Sequence, residues 1–223
     1  MHFQFLIEDL SGQALIDAVM LKIKKQNDSV SYDCKAFHGI GGYGGNAKKK
    51  TAKETKTGKL LNDLAIYLRG FNKSLQHFAA TVVVVLDNDD RDTASFQTEL
   101  ENIARANKIT IDHVFCIAVE EVEAWLLGDT AALLAAYPNA KQAILHAYCQ
   151  DSLCGTWELL ANVLYPGGYA KMQKDCPSYM EIGKKKSEWA RAIGMHMDLS
   201  ANRSPSFNLF LNEINRRIAT VTC

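Results

Sequence analysis

The stretch Thr81-Val82-Val83-Val84-Val85-Leu86-Asp87-Asn88-Asp89 decides the fold class of this 223-residue chain. Its four consecutive valines form an uninterrupted β-branched run, which is typical of a strand buried on both faces and therefore of a parallel sheet. The run ends in acidic residues, and the ligands of open α/β sheets bind beyond the carboxyl ends of the strands. The stretch therefore predicts a buried central strand and indicates the edge of the sheet at which a functional site lies.

Other apolar runs alternate with amphipathic segments along the chain. The pattern predicts strands over 3–7, 29–37 and 113–119, and helices after Ser11, from Lys59, over 93–108 and from Glu120. Strand–helix alternation repeated four times predicts a doubly wound, mostly parallel α/β sheet flanked by helices. The chain after residue 130 has a helical pattern throughout, with a last helix after Ser206. The simplest partition is one domain, 1–223, with an α/β core over 1–130 and a helical part over 131–223.

The composition excludes several classes of protein. Lys and Arg number 25, as do Asp and Glu, so the formal net charge is zero and a histone-like polycation is excluded. The six cysteines contain no CxxC pair, so a zinc site is not indicated and reduced thiols are expected. No apolar run reaches the roughly 18 residues of a membrane helix, and no basic leader begins the sequence. We expect a cytoplasmic protein that does not contact a membrane.

Acidic residues follow three of the predicted strands. Glu8 and Asp9 follow the first strand, residues 87–92 contain four carboxylates and one arginine, and a cluster of glutamates follows the last strand. If these strands are neighbours, five or more carboxylates meet at one edge, where like charges need neutralisation. Mg²⁺ prefers carboxylate oxygens and keeps waters for a phosphate substrate. The pattern predicts a metal site at this edge.

Two local details of these acidic segments can be predicted from helix geometry. Residues three apart share a helix face, so Glu120 and Glu123 are expected together, with Glu121 pointing elsewhere. Either Asp90 or Asp92 is expected to cap the helix that follows the valine strand.

Four segments of the sequence resemble a known family. Residues 5–11, FLIEDLS, and 83–89, VVVLDND, resemble the strand ending in Glu and the strand ending in Asp-x-Asp of the Toprim domain. Residues 117–129, IAVEEVEAWLLGD, and 202–207, NRSPSF, are similar to small stand-alone Toprim proteins related to OLD-type nucleases. Proteins of that branch are often encoded beside an ATPase in bacterial anti-phage systems.

The resemblance implies a Toprim-type fold and a nuclease that hydrolyses phosphodiesters of DNA or RNA with two Mg²⁺ or Mn²⁺ ions. It implies that Glu8, Asp87 and Asp89 hold metal as catalytic residues, and that Glu120 or Glu123 completes a second metal site. It also implies a catalytic lysine, expected within Lys184–Lys186, where Lys186 is preferred. An ATPase partner and a role in phage defence are expected on the same basis, while the oligomeric state stays open.

Basic segments are the expected contacts to nucleic acid. Between residues 48 and 59, six lysines and one glutamate give a local charge of +5 after a glycine-rich loop. Such a segment can follow a phosphate backbone without reading its sequence, although it can equally be an ordinary surface loop. The lysine triplet at 184–186 has the alternative of a solvated helix face. The predicted nucleic-acid contacts are Lys48, Lys49, Lys50, Lys53, Lys56, Lys59, Lys184 and Lys185.

Two other functions are compatible with the same residues. The chain could be a catalytically silent regulatory or scaffold subunit that binds an ATPase. It could also be a small-nucleotide phosphohydrolase, because Asp87-x-Asp89 resembles haloacid-dehalogenase-like sites, but that reading leaves the strand ending at Glu8 unexplained.

Overall fold

The computed structural model describes residues 1–41, 59–153 and 155–221, and it is an α/β protein as predicted. Four strands, β1 (His2–Ile7), β2 (Ser31–Ala36), β3 (Ala80–Asp87) and β4 (Asp112–Ala118), form one sheet. Their order is β2-β1-β3-β4, and every neighbouring pair is parallel. The valine strand β3 lies inside the sheet and is buried from Ala80 to Leu86.

Helices cover both faces of the sheet and make up the C-terminal part of the chain, as the pattern predicts. In chain order they are α1 (Leu10–Gln26), α2 (Leu60–Ser74), α3 (Thr93–Ala106), α4 (Glu123–Leu127), α5 (Thr130–Ala136), α6 (Gln142–Ala147), α7 (Thr156–Leu164), α8 (Gly168–Asp175), α9 (Tyr179–His196) and α10 (Pro205–Val221). Among the described residues, no helix is both long and apolar enough to span a membrane.

The alternation of side chains along β3 divides the apolar core into two layers. Val83 and Val85 pack in one cluster with residues of α1, α9 and α10, whereas Val82 and Val84 pack in the other with residues of α2 and α3. Because successive strand residues point to opposite faces, a run of valines fills both layers at once. The sheet is therefore fixed between two apolar layers, and its strand ends are held at defined positions.

Two helix starts differ from the predicted ones. The first helix is capped by Asp9 and not by Ser11, since the Asp9 side chain accepts a hydrogen bond from the Gly12 amide at 2.8 Å. The helix predicted from Glu120 begins only at Glu123, because Glu120 has a left-handed backbone with φ of 62°. Asp92 caps α3, as one of the two predicted alternatives, and accepts from the Ser95 amide at 2.8 Å.

The two segments 117–129 and 202–207, which carry much of the family resemblance, pack against each other. The Trp125 indole donates to Ser206 Oγ at 2.9 Å, and the Asn202 amide group donates to the Trp125 carbonyl at 2.8 Å. A Cβ at Gly128 would lie 2.0 Å from Asn202 Oδ1, so this position needs glycine. These contacts fix α4, which follows the acidic end of β4, against the start of α10.

Candidate metal centre

The acidic ends of β1, β3 and β4 lie at one edge of the sheet, hereafter the carboxyl edge. Since β3 pairs with both β1 and β4, the neighbour relation that the metal-site prediction requires is present. The Asp87 amide donates to Glu8 Oε2 at 3.1 Å, and the Val122 amide donates to Asp87 Oδ1 at 2.9 Å. Backbone hydrogen bonds thus orient one carboxylate from β1 and one from β3 beside the chain that follows β4.

Glu123 and Lys186 form the buried part of the site. Glu123 is fully buried, and its Oε1 lies 3.2 Å from Lys186 Nζ and 3.5 Å from Ser11 Oγ. Its other oxygen, Oε2, is buried without a hydrogen-bond partner in the described part of the chain. A buried carboxylate oxygen without a partner carries a large desolvation cost, so this atom marks a place where a cation would be stabilised.

The orientation of Lys186 follows from its position on α9. Lys186, Ala190 and Gly194 are four residues apart and therefore share one face of the helix. Ala190 is fully buried, and a Cβ at Gly194 would lie 2.7 Å from Ala18 Cβ on α1. This close packing of α9 on α1 turns Lys186 inward, and its side chain is only 13% exposed.

The glutamates after β4 are not placed as predicted. The expectation that Glu120 and Glu123 share a helix face is wrong. Glu120 lies outside α4, and its carboxylate accepts from the amides of Gly155 at 2.8 Å and Thr156 at 3.0 Å, as well as from the Thr156 hydroxyl. Glu121 instead faces Lys186, with 3.9 Å between Oε1 and Nζ, while its Oε2 accepts from the Trp157 amide at 3.0 Å. The carboxylate of Glu120 thus holds the start of α7, and Glu121 joins Glu123 at Lys186.

Asp89 lies at the solvent-facing rim of the site. It is half exposed, its backbone is left-handed with φ of 50°, and its Oδ2 lies 2.8 Å from Arg91 Nη1. Its amide donates to the Glu120 carbonyl at 3.0 Å, and the neighbouring Asn88 side chain accepts from the Glu120 amide at 2.5 Å. The loops after β3 and β4 are therefore tied together at the carboxyl edge.

Five carboxylates, hereafter the acidic cluster, interact electrostatically with the Lys186 ammonium: Glu8, Asp9, Asp87, Glu121 and Glu123. Burial raises the pKa of Glu8 to about 7, with repulsion from Asp89 and Asp9 adding to the rise and the hydrogen bond from the Asp87 amide opposing it. Burial, followed by repulsion from Glu8, raises the pKa of Asp87 well above its usual range.

Burial and neighbouring charges also change the pKa values of Glu121 and Glu123, the two glutamates beside Lys186. Burial raises the pKa of Glu121 to about 8 and also raises that of Glu123, although attraction to Lys186 lowers both. Burial is the largest single influence on the pKa of Lys186 and would lower it, but the attractions to Glu123, Glu121, Asp9 and Asp87 together outweigh it, and the pKa is raised. The ammonium is therefore firmly charged, and it leaves negative charge in the acidic cluster uncompensated.

The chemistry of these side chains fits a hard divalent cation. Carboxylate oxygens are the ligands that Mg²⁺ and Mn²⁺ prefer, and the unpaired Oε2 of Glu123 and the raised carboxylate pKa values favour added positive charge. Within the described ranges, no group of three or more His, Cys, Asp and Glu side chains is already arranged to hold a metal ion.

The remaining predicted basic residues are placed as follows. Lys184 is exposed, and Lys185 Nζ lies 2.7 Å from Glu188 Oε2, so of the three adjacent lysines it is Lys186 that enters the acidic cluster. Lys59 donates to the His38 carbonyl. Lys48, Lys49, Lys50, Lys53 and Lys56 lie outside the described residues.

Sequence reasoning did not assign Glu121 to the site, because it treated residues 120–123 as one regular helical turn. Lys186 was the preferred lysine of the triplet, and its spacing of four from Ala190 and Gly194, two small residues typical of a close helix contact, is a further signal in the sequence for its inward position.

Taken together, the fold and the site define an α/β protein with a carboxylate cluster and a buried lysine at the carboxyl edge of its parallel sheet. The chain belongs to the family described as Domain of unknown function (DUF4276), whose model matches residues 20–215. The matched region contains Asp87, Glu121, Glu123 and Lys186, whereas Glu8 precedes it. No curated protein and no solved structure matches the chain.

Proposed function

We propose that this protein is a metal-dependent nuclease that hydrolyses phosphodiester bonds of DNA or RNA, in line with its resemblance to OLD-like Toprim proteins. The observation that carries the proposal is the meeting of Glu8, Asp87, Glu123 and Lys186 at the carboxyl edge, where Glu123 Oε2 is buried and unpaired. Carboxylates from three neighbouring strand ends beside a buried ammonium suit a site for divalent cations and a phosphate.

Each residue has a distinct proposed role. Glu8 and Asp87 would hold the first ion together with Asp89 at the rim, and Glu123 would contribute to a second. When bound, such ions activate a water and stabilise the leaving oxygen of the phosphodiester. The amides of Asp87 and Val122 keep the Glu8 and Asp87 carboxylates oriented. Lys186 keeps a positive charge beside the cluster, which favours the approach of a phosphate.

The described residues that flank the lysine-rich part of the sequence support a polyanionic substrate. The Gly39 amide donates to the Glu8 carbonyl at 2.9 Å, and the Leu60 amide donates to the Gly39 carbonyl at 3.0 Å. The described residues on either side of segment 42–58 are thus connected to the same carboxyl edge as the acidic cluster. We propose its lysines as phosphate contacts that do not depend on nucleotide sequence.

The test is cleavage of single- and double-stranded DNA and of RNA in Mg²⁺ or Mn²⁺, with EDTA as the metal-free condition. We expect cleavage that requires metal and falls by at least about a hundredfold in Asp87→Asn and Glu8→Gln, because each removes a metal-binding charge. Glu99→Gln, an exposed acid on α3, is the matched control and should cleave like the wild type. Equal cleavage by all four proteins would contradict the proposal.

An ATPase partner and a role in phage defence are proposed from the family resemblance. The same assay is therefore run on the chain alone and on the chain co-purified with an ATPase partner. Cleavage that appears with the complex and disappears in its Asp87→Asn form would support a gated nuclease, whereas cleavage unaffected by Asp87→Asn would contradict it.

A further inference from the structure

The Lys186 ammonium occupies a position that is suited to a cation in general. It lies 3.2 Å from Glu123 Oε1 and 3.9 Å from Glu121 Oε1, and 5.8 Å from the centre of the Trp157 ring. The ring face is itself attractive to cations. The ammonium thus neutralises two carboxylates that the charge of the acidic cluster would otherwise destabilise.

The ammonium and neighbouring polar groups already engage three carboxylates of the acidic cluster. Glu123 Oε1 and Glu121 Oε1 are directed to Lys186, and Asp9 is held by the Ser11 hydroxyl and the Gly12 amide. Glu123 Oε2 stays unpaired beside them. A divalent ion that uses the Glu121 and Glu123 carboxylates has to share them with the ammonium or displace it.

We propose that Lys186 is a built-in counter-ion that stabilises the acidic cluster without metal and competes with the divalent cation for Glu121 and Glu123. The inference rests on the proposed function, because it assumes that the cluster binds a divalent metal. It adds that the affinity for metal is held down by this lysine, so that metal binding and the release of the Lys186 contacts are coupled.

The test is the dissociation constant of Mn²⁺, measured by calorimetry and by the electron paramagnetic resonance signal of free Mn²⁺, without nucleic acid. Lys186→Met keeps most of the side-chain length but removes the charge, and we expect Mn²⁺ to bind at least about tenfold more tightly. Lys186→Arg keeps the charge and should bind Mn²⁺ as the wild type does. Arg191→Met, which removes an exposed charge from the same helix, is the matched control and should also be unchanged.

A second measurement covers the case in which Lys186→Met does not fold in EDTA. The comparison is then made between Glu121→Gln and the double variant Glu121→Gln with Lys186→Met, which has one negative charge and one positive charge fewer than the wild type. Tighter Mn²⁺ binding by the double variant supports the competition. Equal or weaker binding overturns it.

The outcomes separate this inference from the proposed function. Wild-type binding of Mn²⁺ with no gain in Lys186→Met overturns the counter-ion role and leaves the metal site in place. No binding of millimolar Mn²⁺ by any of the proteins overturns both.

Discussion

The substitution Glu8→Gln should stabilise the metal-free protein while weakening its response to metal. The Glu8 carboxylate is partly buried among other acids, and its Oε2 accepts a hydrogen bond from the Asp87 amide at 3.1 Å. Glutamine has the same shape, and its amide oxygen can accept the same bond. The substitution therefore removes a repelled charge without removing the contact that the side chain makes.

The magnitude follows from the rise in the pKa of Glu8 from 4.5 to about 7. An acid whose pKa is raised on folding binds its proton more tightly in the folded state, so its ionisation lowers stability as pH increases. At pH 8 the cost is about 3 kcal/mol at most, and at pH 5 it is below about 1 kcal/mol. Glutamine does not titrate, so the gain in stability should grow between these pH values.

The assay is thermal unfolding in EDTA at pH 5 and pH 8, followed by the same measurement with Mn²⁺. For a chain of this length, a gain of about 3 kcal/mol at pH 8 corresponds to a rise in Tm of roughly 6–12 °C. Mn²⁺ should stabilise the wild type by mass action and should stabilise Glu8→Gln less, because Glu8 contributes to the first of the two proposed ions. The exposed control Glu99→Gln should differ from the wild type by less than about 0.5 kcal/mol at either pH.

Two results would refute the reasoning. Glu8→Gln could be less stable than the wild type at pH 8, which would mean that the carboxylate is stabilising without metal. Its gain could also be equal at pH 5 and pH 8, which would mean that ionisation of Glu8 is not the cause.

Three further expectations concern pH and the helices around the site. The metal-free wild type should lose stability as pH rises from about 5 to 8. The reason is that the pKa of Glu121 is raised to about 8, so the folded protein keeps a proton on Glu121 that the unfolded chain releases. Denaturant midpoints that rise over this pH range would contradict this expectation. Glu120→Ala should lower the free energy of unfolding by about 1–2 kcal/mol, since the amides at the start of α7 lose their acceptor. Mn²⁺ should still raise the Tm of this variant, and loss of the Mn²⁺ response would show that Glu120 binds the ion. On α9, Gly194→Ala should destabilise by about 1–3 kcal/mol because its Cβ meets Ala18, whereas Gly183→Ala, with no described heavy atom within 4 Å of its Cβ, should stabilise by about 1 kcal/mol. Equal unfolding midpoints for the two alanine variants would argue against close packing of α9 on α1.

The fold class was predictable because it depends on local patterns. The valine run of β3 and the alternation of strands with amphipathic helices can be recognised in the sequence without knowing which strands are neighbours. The structure confirms the parallel sheet with its helical C-terminal part. The region after β4 was not predictable in the same way. Helical spacing alone predicts Glu120 beside Glu123. In the structure Glu120 has a left-handed backbone, and its carboxylate accepts hydrogen bonds from Gly155 and Thr156, about 35 residues later in the chain.

The sequence by itself determined that acids follow three strands and that a lysine triplet lies on a late helix. Only the tertiary structure decided that Glu121, and not Glu120, meets Glu123 at Lys186. Neighbouring residues on a helix point about 100° apart, so the rotation of α9 selects which lysine faces inward. That rotation is set by the contact of Gly194 with Ala18, a feature of two packed helices that neither segment contains alone.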